Sequence, residues 1–125
     1  MVATDIGYAL AGLTALAIIF IGARFIVAPR TAAAAFGIAA WYDNGRADPY
    51  LSVKGVRDIA SGLIAVILLV TRLPHVLAWF ELAASTIPLG DTLIVLRRNG
   101  PKGTAYGVHG VTAAVLLATA VLLFA

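Results

Sequence analysis

Residues 6–28 read IGYALAGLTALAIIFIGARFIVA, an apolar run interrupted only by Arg24 and stopped by Pro29-Arg30. A helix rises about 1.5 Å per residue and the hydrocarbon core of a bilayer is about 30 Å thick, so about 20 apolar residues suffice to cross it. This run is long enough. Asp5 precedes it where a secretory signal would carry basic residues, and the run outlasts a signal's apolar core. It is therefore expected to be a retained membrane helix.

Three further runs follow the same logic. Residues 51–70 carry Lys54, Arg57 and Asp58 in their opening turns, and 71–75, with Pro74, leave space only for a tight hairpin. Residues 76–96 contain Glu81, Pro88 and Asp91, and the loop 97–103 ends them. Residues 104–124 have His109 as their one titratable side chain besides tyrosine. The expectation is an all-α integral membrane protein, one domain over 1–125, built as a four-transmembrane-helix bundle. Composition agrees: 62% of residues are hydrophobic and 12% charged, against about 25% charged in a soluble domain.

Charge sets the orientation. Arg24, Arg30, Arg46, Lys54, Arg57, Arg97, Arg98 and Lys102 fall on one side and Arg72 alone on the other. By the positive-inside rule, loops 29–50 and 97–103 face the cytoplasm and both termini face outward across a plasma or inner membrane. The same bias explains the net charge of +3 and argues against a nucleic-acid partner. Without cysteine there is no disulfide, thiolate metal site or thiol nucleophile.

The long connection 31–50 opens on alanines and then offers Phe36, Trp41 and Tyr42, the composition of a short interfacial helix. It is either a lid or an aromatic anchor at headgroup depth. Asp43-Asn44-Gly45-Arg46 reads as a turn. A repeat is also suggested: residues 21–30 overlay 89–98, with a shared Gly, Ile-Val and closing Arg, and Gly55-Val56-Arg57 resembles Gly107-Val108-His109. Two pseudo-repeated hairpins would put Arg24 and Asp91 at corresponding depths.

The polar residues converge on one layer. By helical rise, Arg24 lies ~6 Å inside the cytoplasmic end of its span, Asp58 ~10 Å, Asp91 ~8 Å and His109 ~7 Å. Charges at such depth normally face the bundle interior and mark function. Lys54, Asp58 and Ser61 share one face of the second span. Asp91 sits near the C-terminal end of its helix, where the dipole and burial both disfavour an anion, whereas His109 lies near a helix N-terminus that disfavours imidazolium. A protonated Asp91 beside a neutral His109 or an ionised Asp58 would make an acid and base pair, in a pocket expected to open to the cytoplasm. Pro88, one turn before Asp91, frees the Ala84 carbonyl and can kink the helix.

Plainer readings stand beside these. Arg24 and Lys54 have stems long enough to snorkel, and Arg57 with Asp58 makes sense as a structural ion pair. His109 makes sense as an imidazole satisfied by a carbonyl or by Asp91, and Tyr50 and Tyr106 as interface residues. Glu81, a third of the way in from the other side, is either a separate outward site or a partner for Arg72 or His75, and receives no role.

No zinc-helix signature, phosphate loop or nucleophile elbow is present, so neither cofactor nor metal is expected. Gly22-Ala-Arg-Phe to Ala28-Pro-Arg30, Ala35-Phe-Gly37, Lys54-Gly-Val-Arg-Asp58 with Ser61-Gly-Leu63, Ile87-Pro-Leu-Gly-Asp91 and His109-Gly110 span nearly the whole chain. In these residues the sequence resembles the small four-span membrane proteins of family 4267 of the domains of unknown function. The resemblance implies a link to natural-product clusters, where similar proteins look like membrane epoxide hydrolases or cyclases acting on lipophilic polyketides or terpenoids. The positions that match are Arg24, Lys54, Arg57, Asp58, Asp91 and His109.

Three functions remain open. One is an enzyme acting on a lipophilic substrate by hydrolase, isomerase or cyclase chemistry, such as epoxide opening, with Asp58, Asp91 and His109 catalytic and Arg24, Lys54, Arg57 and Ser61 binding substrate. Another is a proton-coupled transporter. The third is a non-catalytic membrane subunit or lipid-binding protein, since small residues such as Ala9, Gly12, Ala15, Ala113, Ala114 and Ala118 allow close packing within a bundle or in a homo-oligomer.

Overall fold

The computed structural model describes residues 2–38 and 45–125, which are mostly helical with no strand among them. Helix α1 (Val2–Val27) is followed by the short α2 (Pro29–Phe36) and by α3 (Asp48–Val70). Next come α4 (Pro74–Ala84) and α5 (Thr86–Arg97), separated by one residue. The last helical rod begins as α6 (Lys102–Thr104), passes through a π-helical segment (Ala105–Gly110) and continues as α7 (Val111–Phe124).

Among the described residues, three stretches are long and apolar enough to cross a membrane: Val2–Val27, Pro74–Arg97 and Lys102–Phe124. Only 22–28% of their most apolar windows is buried inside the protein. Their large side chains point outward instead, with Phe20 63%, Trp79 64% and Val121 68% exposed. Apolar surface on this scale calls for a bilayer around it. Four clear spans were expected and α3 is the exception. It has the length, at 23 residues, but Lys54, Arg57 and Asp58 crowd its first half.

The helices pack as two hairpins. In the first, α1 and α3 share the broadest contact in the molecule, made possible by glycine. A Cβ added at Gly22 would lie 2.5 Å from the Gly55 carbonyl oxygen, and one added at Gly55 the same distance from that of Gly22. The backbones touch there, which small residues allow in membrane bundles. In the second hairpin, α4 packs on α7 and α5 on the π segment, and α1 joins the hairpins by packing along α7.

Three local departures from straight helix shape the interior. Helix α2 begins on Pro29, which suits a first helical turn, and ends at Gly37, whose φ of 96° demands glycine. Its Ala32 and Ala33 are buried against Phe25 and Leu51, so the alanine-rich connection forms a helix folded inward. Trp41, Tyr42, Asp43 and Asn44 lie outside the described residues. The second departure is the interruption at Ser85. Pro88 has no N–H to offer the Ala84 carbonyl, and the hydroxyls of Ser85 and Thr86 donate to the carbonyls of Leu82 (2.6 Å) and Ala83 (2.7 Å). The third is the π segment, a widened turn that changes the register of His109 relative to α7.

Candidate functional site

These departures surround a cavity of about 350 Å³, lined from α1, α2, α3, α4, α5, the π segment and α7. Most of its wall is apolar, with Ile18, Phe25, Phe80, Ile87 and Leu116 among the lining residues. Arg24, Lys54, Asp58, Ser61, Asp91 and His109 also line it. Of the residues singled out from the sequence, Arg57 alone is absent. It is exposed on α3 and does not reach the cavity.

Lys54 is turned inward and does not snorkel. Its ammonium sits 2.6 Å from Asp58 Oδ2, and above the rings of Phe25 (4.3 Å to the centroid) and Phe36 (4.7 Å). The cation is thus held by one carboxylate and two aromatic faces. Asp58, 7% exposed, pairs with Lys54 one turn away and not with adjacent Arg57. Successive helical residues point ~100° apart, whereas i and i+4 share a face. Ser61 donates its hydroxyl to the Asp58 carbonyl at 2.8 Å, which turns it toward its own helix.

His109, 6% exposed, donates from Nε2 to the Phe36 carbonyl at 2.8 Å, and its ring lies 4.2 Å from that of Phe36. A carbonyl can only accept, so Nε2 carries a proton, and in the neutral tautomer this leaves Nδ1 as the acceptor. The bond also ties the end of α2 to the π segment, over the cavity. Asp91 is half-buried on α5, makes no hydrogen bond or ion pair among the described residues, and lies within electrostatic reach of Lys54, His109 and Asp58. Next to it, the Thr92 hydroxyl contacts the carbonyls of Pro88 (2.8 Å) and Ala105 (3.3 Å), linking α5 to the π segment. Arg24 stands at the rim, its guanidinium carbon 6.0 Å from the Phe20 ring centroid.

Glu81 belongs to the same cavity. From the sequence it looked like a separate outward feature, because it approaches from the opposite end of its span. No described contact joins it to Arg72 or His75: Arg72 lies over the Tyr8 ring and His75 faces Phe124. Phe36 is another lining residue whose part the sequence did not disclose. Its neighbours Lys54, Phe25 and His109 are distant in the chain and meet it only because α2 folds back. Among the described residues no three His, Asp or Glu side chains come together as a metal-holding group.

Fold and cavity together define a small helical membrane protein with an interior chamber that is apolar on most of its wall and ionisable at chosen points. Residues 15–123 match the family described as Domain of unknown function (DUF4267), and the chain belongs to that family. Searches of curated proteins and of solved structures each found no match.

Proposed function

We propose that the protein is a multi-pass membrane enzyme that performs cofactor-independent acid and base chemistry on a lipophilic substrate, of the hydrolase, isomerase or cyclase type. The observation that carries this reading is the meeting of the Lys54–Asp58 pair, Asp91 and His109 on one cavity whose remaining wall is apolar. An apolar chamber with a few convergent polar groups is the usual form of a small-molecule site. In this reading all four helical rods cross the bilayer, α3 included, because its Lys54 and Asp58 are sheltered by the bundle and Arg57 lies near the cytoplasmic end. Loops 29–50 and 97–103 are then cytoplasmic, in keeping with the eight-to-one distribution of basic residues.

For an epoxide, Asp91 gives its proton to the ring oxygen as the C–O bond breaks. Water, or a hydroxyl of the substrate, attacks the carbon and yields its proton to Asp58 or to His109 Nδ1, leaving a diol or a cyclic ether. Proton return to Asp91 closes the cycle. Lys54 keeps Asp58 available as an acceptor, and the Phe36 carbonyl fixes the imidazole. Each positioned acid or base is worth roughly 10²- to 10⁴-fold. Membranes containing the protein should convert lipophilic epoxides, and Asp58→Asn, Asp91→Asn and His109→Ala should each lose at least about 100-fold in turnover. Parent-like rates in all three variants would refute the proposal.

A proton-coupled carrier is a second reading, favoured by one feature: the carboxyls lining the cavity come from both ends of a span, Glu81 and Asp91. Uptake into proteoliposomes driven by a pH gradient, without product formation, would replace the enzyme by the carrier.

A further inference from the structure

The cavity has a second polar end. Glu81 lines it from α4, ten residues before Asp91 on the same span, which is ~15 Å along the helical rise. Glu81 is 2% exposed, and its Oε2 has no hydrogen-bond partner among the described residues. The polar groups of the surrounding turns are engaged elsewhere. Ser85 donates to Leu82, Arg72 stacks on Tyr8 and His75 faces Phe124. Hydroxyls elsewhere on the wall are spent as well, Thr14 on the Leu10 and Ala11 carbonyls and Thr112 on that of Val108. A buried acceptor left without a donor is rare in folded proteins. An intramembrane carboxyl that faces an interior space marks a place where a solute binds.

We infer that Glu81 anchors the far end of the ligand: the cavity takes an elongated, neutral lipophile whose distal hydroxyl donates to the Glu81 carboxyl while its reactive end lies among Lys54, Asp58, Asp91 and His109. The inference rests on the reading of the cavity as a ligand site and adds the second functional group of the substrate. A hydroxyl suits Glu81 better than an ammonium does. Lys54 and Arg24 already line the chamber, and a further cation would have to shed its hydration to enter from hydrocarbon.

The test is equilibrium binding to the protein in lipid nanodiscs, with empty nanodiscs as blank. The probes are straight-chain α,ω-diols long enough to cover ~15 Å and the primary alcohols of the same chain lengths. The parent should bind the diol about tenfold more tightly than the matching alcohol, the factor one added hydrogen bond supplies. Glu81→Leu should bind both alike, and Glu81→Gln, which still offers an acceptor, should keep the preference. Equal binding of the two probes by the parent overturns the Glu81 assignment and leaves the ligand cavity standing. A diol preference that survives in Glu81→Leu does the same. Failure of the parent to bind either probe overturns both readings. Turnover lost in Asp58→Asn with the diol preference intact separates the chemistry at one end from the anchoring at the other.

Discussion

Lys54 shows how much one side chain organises. Its ammonium is the counter-charge of a buried carboxylate and the filling between two aromatic rings. Lys54→Met would leave Asp58 buried and unpaired, which costs about 3–5 kcal/mol when a fully buried pair is broken. Because the Lys54 side chain is 27% exposed, a loss of roughly 2–4 kcal/mol is expected. Arg57→Ala, three residues on, should change stability by less than about 0.5 kcal/mol. Unfolding in mixed micelles compares the two, and equal losses would mean that the ion pair contributes nothing. The shared face of Lys54, Asp58 and Ser61 was legible from helical spacing, and Asp58, Asp91 and His109, singled out by their depth, all line one cavity. Arg57 was misjudged because depth says nothing of azimuth. The acceptor of His109 was hidden, since Phe36 lies 73 residues away and meets it only through α2.

Among the elements, the π segment carries the clearest expectation. Gly107 has no atom within 4 Å of where a Cβ would stand, so a change at this position disturbs no packed side chain. A π turn holds one residue more than an α turn, so deleting Gly107 should restore a plain α-helix with the flanking parts in register and shift only the residues inside the segment, His109 among them. His109 would then part from the Phe36 carbonyl. Turnover is expected to fall at least about 100-fold, with the cooperative melting transition retained; turnover unchanged by the deletion would show that the π turn has no part in the site. Nothing in the sequence announced this turn, because its glycines and valine fit an α-helix equally well. The break at Ser85 was more accessible. Pro88 foretold a freed carbonyl, although not that Ser85 and Thr86 would turn their hydroxyls onto the preceding turn. The short helix after Pro29 was foreseen from its alanines. Its inward packing depends on Phe25 and Leu51, which no local pattern reveals.

For the molecule as a whole, the membrane reading follows from apolar runs whose side chains the structure leaves facing outward. The proposed topology can be checked directly because the sequence contains no cysteine. Single cysteines at Asn99 and at Arg72 should be labelled by an impermeant maleimide from opposite sides of sealed vesicles, Asn99 from the cytoplasmic side. Labelling of both from one side would exclude an odd number of crossings between them. The number of spans was the least legible feature at this scale. Two of the three charges that crowd the first half of α3, Lys54 and Asp58, line the chamber, so a polar interior and a clear hydropathy signal compete for some of the same residues. The glycine contact between α1 and α3 has a mechanical consequence. With Gly22 and Gly55 already backbone to backbone, that pair has no slack to give, while the helix break and the wide turn both belong to the other hairpin. The first hairpin is then the rigid wall of the chamber, and any change in the chamber's width falls to the second, whose helices are already interrupted.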